Sequence, residues 1–115
     1  MSQITTHVLD TSKGSPAQGI KVTFETISGL NEWIALGNGV TNADGRVSDL
    51  LKTDVILSPG IYRMTFETAD YFSRQKLKGF YPYVQLVFEI SDGKHYHIPL
   101  LLLSLIHISE PTRPY

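Results

Sequence analysis

The sequence predicts an all-β fold: a two-sheet antiparallel sandwich with one short α-helix. Three observations carry this. Six or seven short segments alternate apolar and polar residues with the period of a strand. Turn signals built from Gly, Pro, Asn and Asp separate those segments. Only one stretch, Thr68–Gln75, has helical character.

The elements follow in order. Ile4–Asp10 alternates, with Ile4, Thr6 and Val8 on one face and Thr5, His7 and Leu9 on the other. Lys13-Gly14-Ser15-Pro16 is a turn cluster. Gly19–Ser28 puts Ile20, Val22 and Phe24 inward and Lys21, Thr23 and Glu25 outward. A loop through Gly29-Leu30-Asn31 leads to a strand over Glu32–Val40, which holds Trp33, the only tryptophan. Thr41–Arg46 is a turn with an Asp44-Gly45 signal. Val47–Pro59 is a longer connection. Ile61–Thr68 alternates again, with Tyr62, Met64 and Phe66 on the core face.

In the helix, Thr68 is the expected N-cap, and Asp70 in the first turn suits the helix dipole. Gly79 and Pro82 end it. Val84–Ile90 returns to alternation, with Val84, Leu86, Phe88 and Ile90 sharing a face. A tight turn, Ser91-Asp92-Gly93, leads to Lys94–Leu103. That last strand places His95 and His97 on one face and Tyr96, Ile98 and Leu100 on the other.

A chain of 115 residues makes one domain and should bury about two thirds of its unfolded-chain surface. With 42% hydrophobic and 18% charged residues it is neither disordered nor membrane-spanning. A net charge of −1 offers no electrostatic case for nucleic acid or an anionic membrane. Without cysteine there is no disulfide, thiol nucleophile or thiolate metal site. Met1-Ser2-Gln3-Ile4 does not open a signal segment, and the apolar run Pro99–Leu103 is too short to cross a bilayer. A cytoplasmic location is the expectation.

Four histidines could carry chemistry: His7, His95, His97 and His107. His7 lies in the first strand and His97 in the last clear one. First and last strands often pair in a sandwich, so the two rings can meet. A neutral imidazole takes and returns a proton near neutral pH. The alternative is that each is a half-exposed strand histidine satisfied by a backbone group. Arg46, beside such a pair, could hold a carbonyl oxygen and stabilise developing charge, or it could be a solvated turn arginine. Zinc would need a third ligand. His95 lies about 7 Å further along the strand from His97, so neither a metal nor any other cofactor is expected.

Four blocks carry a family resemblance. Ile4-Thr5-Thr6-His7-Val8-Leu9-Asp10, followed by Gly14-Ser15-Pro16-Ala17 and Gly19, resembles the opening signature of the 5-hydroxyisourate hydrolases, the transthyretin-related enzymes. Thr41-Asn42-Ala43-Asp44-Gly45-Arg46 is similar to their central motif. Phe80-Tyr81-Pro82-Tyr83-Val84 and His95-Tyr96-His97-Ile98-Pro99-Leu100-Leu101 match two more. The blocks fall in family order across residues 4–102.

The resemblance implies a transthyretin-like sandwich of two four-stranded sheets. It implies a homotetramer, a dimer of dimers, with active sites in the channel between dimers. It implies that His7, Arg46 and His97 line the site and that water opens the ring of 5-hydroxyisourate. The product is 2-oxo-4-hydroxy-4-carboxy-5-ureidoimidazoline, in urate and purine catabolism. A transthyretin-like small-ligand carrier is the alternative function; such carriers have apolar channel walls in place of the His–Arg–His set.

The chain departs from the family at its end. Family enzymes close with Tyr-Arg-Gly-Ser, which is missing here, and Pro111 and Pro114 oppose a central strand. The expected organisation is therefore a hydrolase domain over 1–102 and an atypical, non-native tail over 103–115.

Overall fold

A computed structural model describes residues 2–75 and 81–102. The expected helix stop at Gly79 and the expected tail from Leu103 lie outside the described residues. The described chain forms eight strands and one helix. They are β1 (Ile4–Asp10), β2 (Ser15–Pro16), β3 (Lys21–Ile27), β4 (Trp33–Val40), β5 (Arg46–Val47), β6 (Gly60–Phe66), α1 (Thr68–Arg74), β7 (Val84–Ile90) and β8 (Tyr96–Leu102). The two-residue strands β2 and β5 are too short to show as alternation; β2 lies in the Lys13–Pro16 turn cluster, and β5 joins the end of the Thr41–Arg46 turn to the start of the connection after it.

One sheet has the order β4-β3-β6-β7, all antiparallel. The other is centred on β1. Along its whole length β1 pairs with β8, and this ladder is parallel. The short strands β5 and β2 pair antiparallel with successive stretches of β1, at Thr6–His7 and Leu9–Asp10. They share the edge opposite β8. The sandwich with a single short helix is as expected; the parallel pair within it had no signal in the sequence.

The alternation decides the core. Ile4 and Val8 of β1, Val22 and Phe24 of β3, and Tyr62, Met64 and Phe66 of β6 are buried between the sheets. Tyr96, Ile98 and Leu100 of β8 pack against them. Phe24 stacks on Tyr62 at 5.4 Å between ring centroids and lies 6.2 Å from Phe88. These three rings come from neighbouring strands of one sheet, and burying one such side chain is worth about 1.5–3 kcal/mol.

The helix departs from expectation at its start. Thr68 is its first residue and not its cap. The cap position is Glu67, without a side-chain bond. The Thr68 hydroxyl instead donates to the carbonyl of Tyr81 at 3.0 Å. Tyr71 and Phe72 turn into the core, and the Tyr71 hydroxyl donates to buried Asp10 Oδ2 at 2.7 Å. That bond fastens the helix to the end of β1.

Candidate active site

The loop before β5 delivers Arg46. Asn42 Oδ1 accepts the backbone N–H groups of Asp44 at 2.9 Å and Arg46 at 3.0 Å. Gly45 takes φ +73°, a left-handed conformation that costs a non-glycine residue. Its carbonyl accepts the N–H of Val8 at 2.8 Å. This pins the turn to β1 and puts Arg46 directly across the ladder from His7.

β8 delivers His97 from the other edge of β1. In the parallel register His97 is the partner of Thr5, two residues before His7 on the same face. The His7 and His97 rings lie 6.4 Å apart between centroids, tilted by 37°. The three residues singled out in the sequence thus meet on the outer face of the β1-centred sheet. His97 and Arg46 are exposed and His7 is half-buried. A substrate can reach the cluster without displacing the core.

Charge and packing tune His97. Partial desolvation of this still-exposed ring lowers its pKa below the ordinary 6.5. The positive charge of Arg46 lowers it further, followed by His7 and His95. Each cause disfavours the imidazolium.

Thr5 is the site residue the sequence reading passed over. It is only 6% exposed although it lies on the outward face. Its Oγ1 is 2.9 Å from His97 Nδ1 and 3.0 Å from His95 Nε2. His95 therefore touches the cluster through Thr5. The signal available was the two-residue spacing of Thr5 and His7, which places both on one face. Among the described residues, no group of three or more His, Cys, Asp or Glu side chains is arranged to hold a metal ion.

A two-sheet sandwich carrying an imidazole–guanidinium cluster on one outer face defines the class: a transthyretin-type sandwich with a polar site. The chain belongs to the HIUase/Transthyretin family, whose profile matches residues 4–106. It is 41% identical to the 5-hydroxyisourate hydrolase of Mus musculus over 103 residues, covering 88% of this chain and 86% of the mouse protein. The solved 5-hydroxyisourate hydrolase of Klebsiella pneumoniae is 35% identical and superposes with a TM-score of 0.76, covering 90% of each chain. Sea bream transthyretin, solved in complex with thyroxine, is 27% identical with a TM-score of 0.81, covering 87% of this chain and 86% of that one.

Proposed function

We propose that this protein is a 5-hydroxyisourate hydrolase of urate degradation. Backbone similarity does not choose between enzyme and carrier, because a hydrolase and a thyroxine-bound transthyretin superpose about equally well. Function has to be argued from the site. The observation that carries the reading is the convergence of His7, Arg46 and His97 on one exposed face. A carrier of an apolar ligand has no use for that polar set. The higher identity to the hydrolases supports the same choice.

In this reading His7 and His97 hold a water between them, within about 2.8 Å of each ring nitrogen. One imidazole accepts a proton as the water oxygen bonds to the ring carbonyl carbon. Arg46 stabilises the oxyanion that forms. The ring C–N bond then breaks, and the imidazolium returns its proton to the departing nitrogen. The chemistry needs neither metal nor cofactor.

The assembly belongs to the same proposal. The cluster lies on an outer sheet face, and a homotetramer built as a dimer of dimers would turn that face into a channel. Light scattering should then give about four times 12.9 kDa. A cytoplasmic location accompanies the reading; among the described residues no helix is long and apolar enough to cross a membrane. The domain boundary near residue 102 is also proposed, although the family match runs four residues further, to 106. Replacing residues 103–115 by a family ending with Tyr-Arg-Gly-Ser should raise turnover.

The test is direct. Protein added to freshly oxidised urate should accelerate the loss of 5-hydroxyisourate absorbance, and His97→Ala should abolish the acceleration. Decay at the spontaneous rate, with and without the grafted ending, would overturn the reading.

A further inference from the structure

We propose that Thr5 and His95 form a hydroxyl relay that holds His97 in its Nδ1–H tautomer, so that Nε2 of His97 is the proton acceptor. The inference rests on the geometry for the relay itself and on the hydrolase reading for the direction in which it runs.

A threonine hydroxyl has one proton to donate and lone pairs with which to accept. Thr5 Oγ1 lies within hydrogen-bond distance of two imidazole nitrogens, Nδ1 of His97 at 2.9 Å and Nε2 of His95 at 3.0 Å. It can donate to only one of them, so the other must donate to it. Two chains satisfy all three groups. In the first, His97 Nδ1–H donates to Thr5, and Thr5 donates to His95 Nε2. In the second, every bond runs the other way, and His97 presents Nε2–H to the site.

Proton uptake separates them. When His97 receives a proton both of its nitrogens become donors, and Thr5 must then accept from Nδ1. The first chain already has that arrangement, so the proton arrives at Nε2 with no hydroxyl turning. A preorganised partner is what a general base requires. The second chain has no lone pair on the site side of His97 and would have to reverse before catalysis.

Burial supports the relay. Thr5 is 6% exposed, so water competes poorly for its hydroxyl. The β1–β8 register holds Thr5 opposite His97 through the backbone. The described residues give His7 no comparable anchor; its cross-strand neighbour is the guanidinium of Arg46. The geometry therefore distinguishes the two site histidines: His97 is the base, and His7 aligns the water or substrate. Thr5 and His95 are positioning residues.

The experiment combines imidazole nitrogen NMR of the resting protein with steady-state kinetics on Thr5→Val, Thr5→Ser and His95→Ala. His97 in the unaltered protein should be in the Nδ1–H form. Thr5→Val removes the hydroxyl at nearly constant volume. It should move His97 toward Nε2–H and lower kcat by about tenfold or more, with KM changed less than about twofold. Thr5→Ser should restore both readouts. His95→Ala, at an exposed position, should shift the tautomer in the same direction and serves if Thr5→Val fails to fold. A resting His97 in the Nε2–H form, or a tautomer and kcat untouched by Thr5→Val, overturns the relay. A chain inert toward 5-hydroxyisourate whose His97 tautomer still responds to Thr5→Val overturns the hydrolase reading and supports the relay.

Discussion

His7 and Arg46 are cross-strand partners in the two-rung ladder between β1 and β5. An imidazole and a guanidinium side by side on an exposed face are held there by backbone, not by a bond between their side chains. The ladder depends on Gly45, whose carbonyl meets the Val8 N–H.

Gly45→Ala should therefore cost stability and activity together. At φ +73° an added Cβ is strained, and it would run into the Val8 carbonyl. The expected loss is about 1–3 kcal/mol, read as a lowered midpoint in urea. Turnover should fall beyond what that loss explains, because Arg46 moves with the turn. A variant with unchanged stability and turnover would show that the turn does not position Arg46.

Arg46→Lys should keep the fold and lower kcat by roughly ten- to a hundredfold. A compact ammonium carries the charge but not the planar fork, and a hydrogen bond to a charged group is worth about 1.5–3 kcal/mol. Circular dichroism checks the fold and the absorbance assay checks the rate. Full activity in this variant would reduce Arg46 to a general positive charge.

The pH dependence follows from His97. Its pKa is depressed below 6.5, first by partial desolvation and then by the charges facing it, Arg46, His7 and His95. A base with a lowered pKa stays neutral as pH falls until that lower value is reached. The acid limb of kcat/KM should therefore lie below pH 6.5. Arg46→Gln removes a charge that opposes protonation, so an NMR titration of His97 in that variant should move up in pH. A downward move would contradict the electrostatic assignment.

Tyr71→Phe tests the tie between helix and sheet. The Tyr71 hydroxyl is pushed up to about 12, by burial first and then by its bond to Asp10. A raised folded-state value means this contribution to stability is fully present below the ordinary tyrosine value near ~10 and is lost as pH rises through about 12. At neutral pH, deleting the hydroxyl should cost about 1–3 kcal/mol, because buried Asp10 loses a donor. Calorimetry reads it as a lower Tm. An unchanged Tm would mean water replaces the bond without penalty.

Much of this protein was legible without a structure. Alternation placed Val22, Phe24, Met64 and Phe66 in the core, and it placed His7 and His97 on outward faces of their strands. A strand's period of two settles which side a residue takes as soon as one face must be buried. The family blocks named His7, Arg46 and His97 together. The cap at Thr68 misled because a threonine before a helical run has other partners available; the carbonyl of Tyr81, distant in sequence, took its hydroxyl.

The sequence by itself thus determined the sandwich and the faces of its strands, and it singled out His7, Arg46 and His97 as candidates. Only the tertiary structure decided that β1 and β8 run parallel, and that this register sets Thr5 between His95 and His97. The reason is physical. Periodicity is local and survives in a linear chain, whereas strand pairing joins segments about ninety residues apart. Its register is chosen by closing the whole core, beyond what either strand encodes alone.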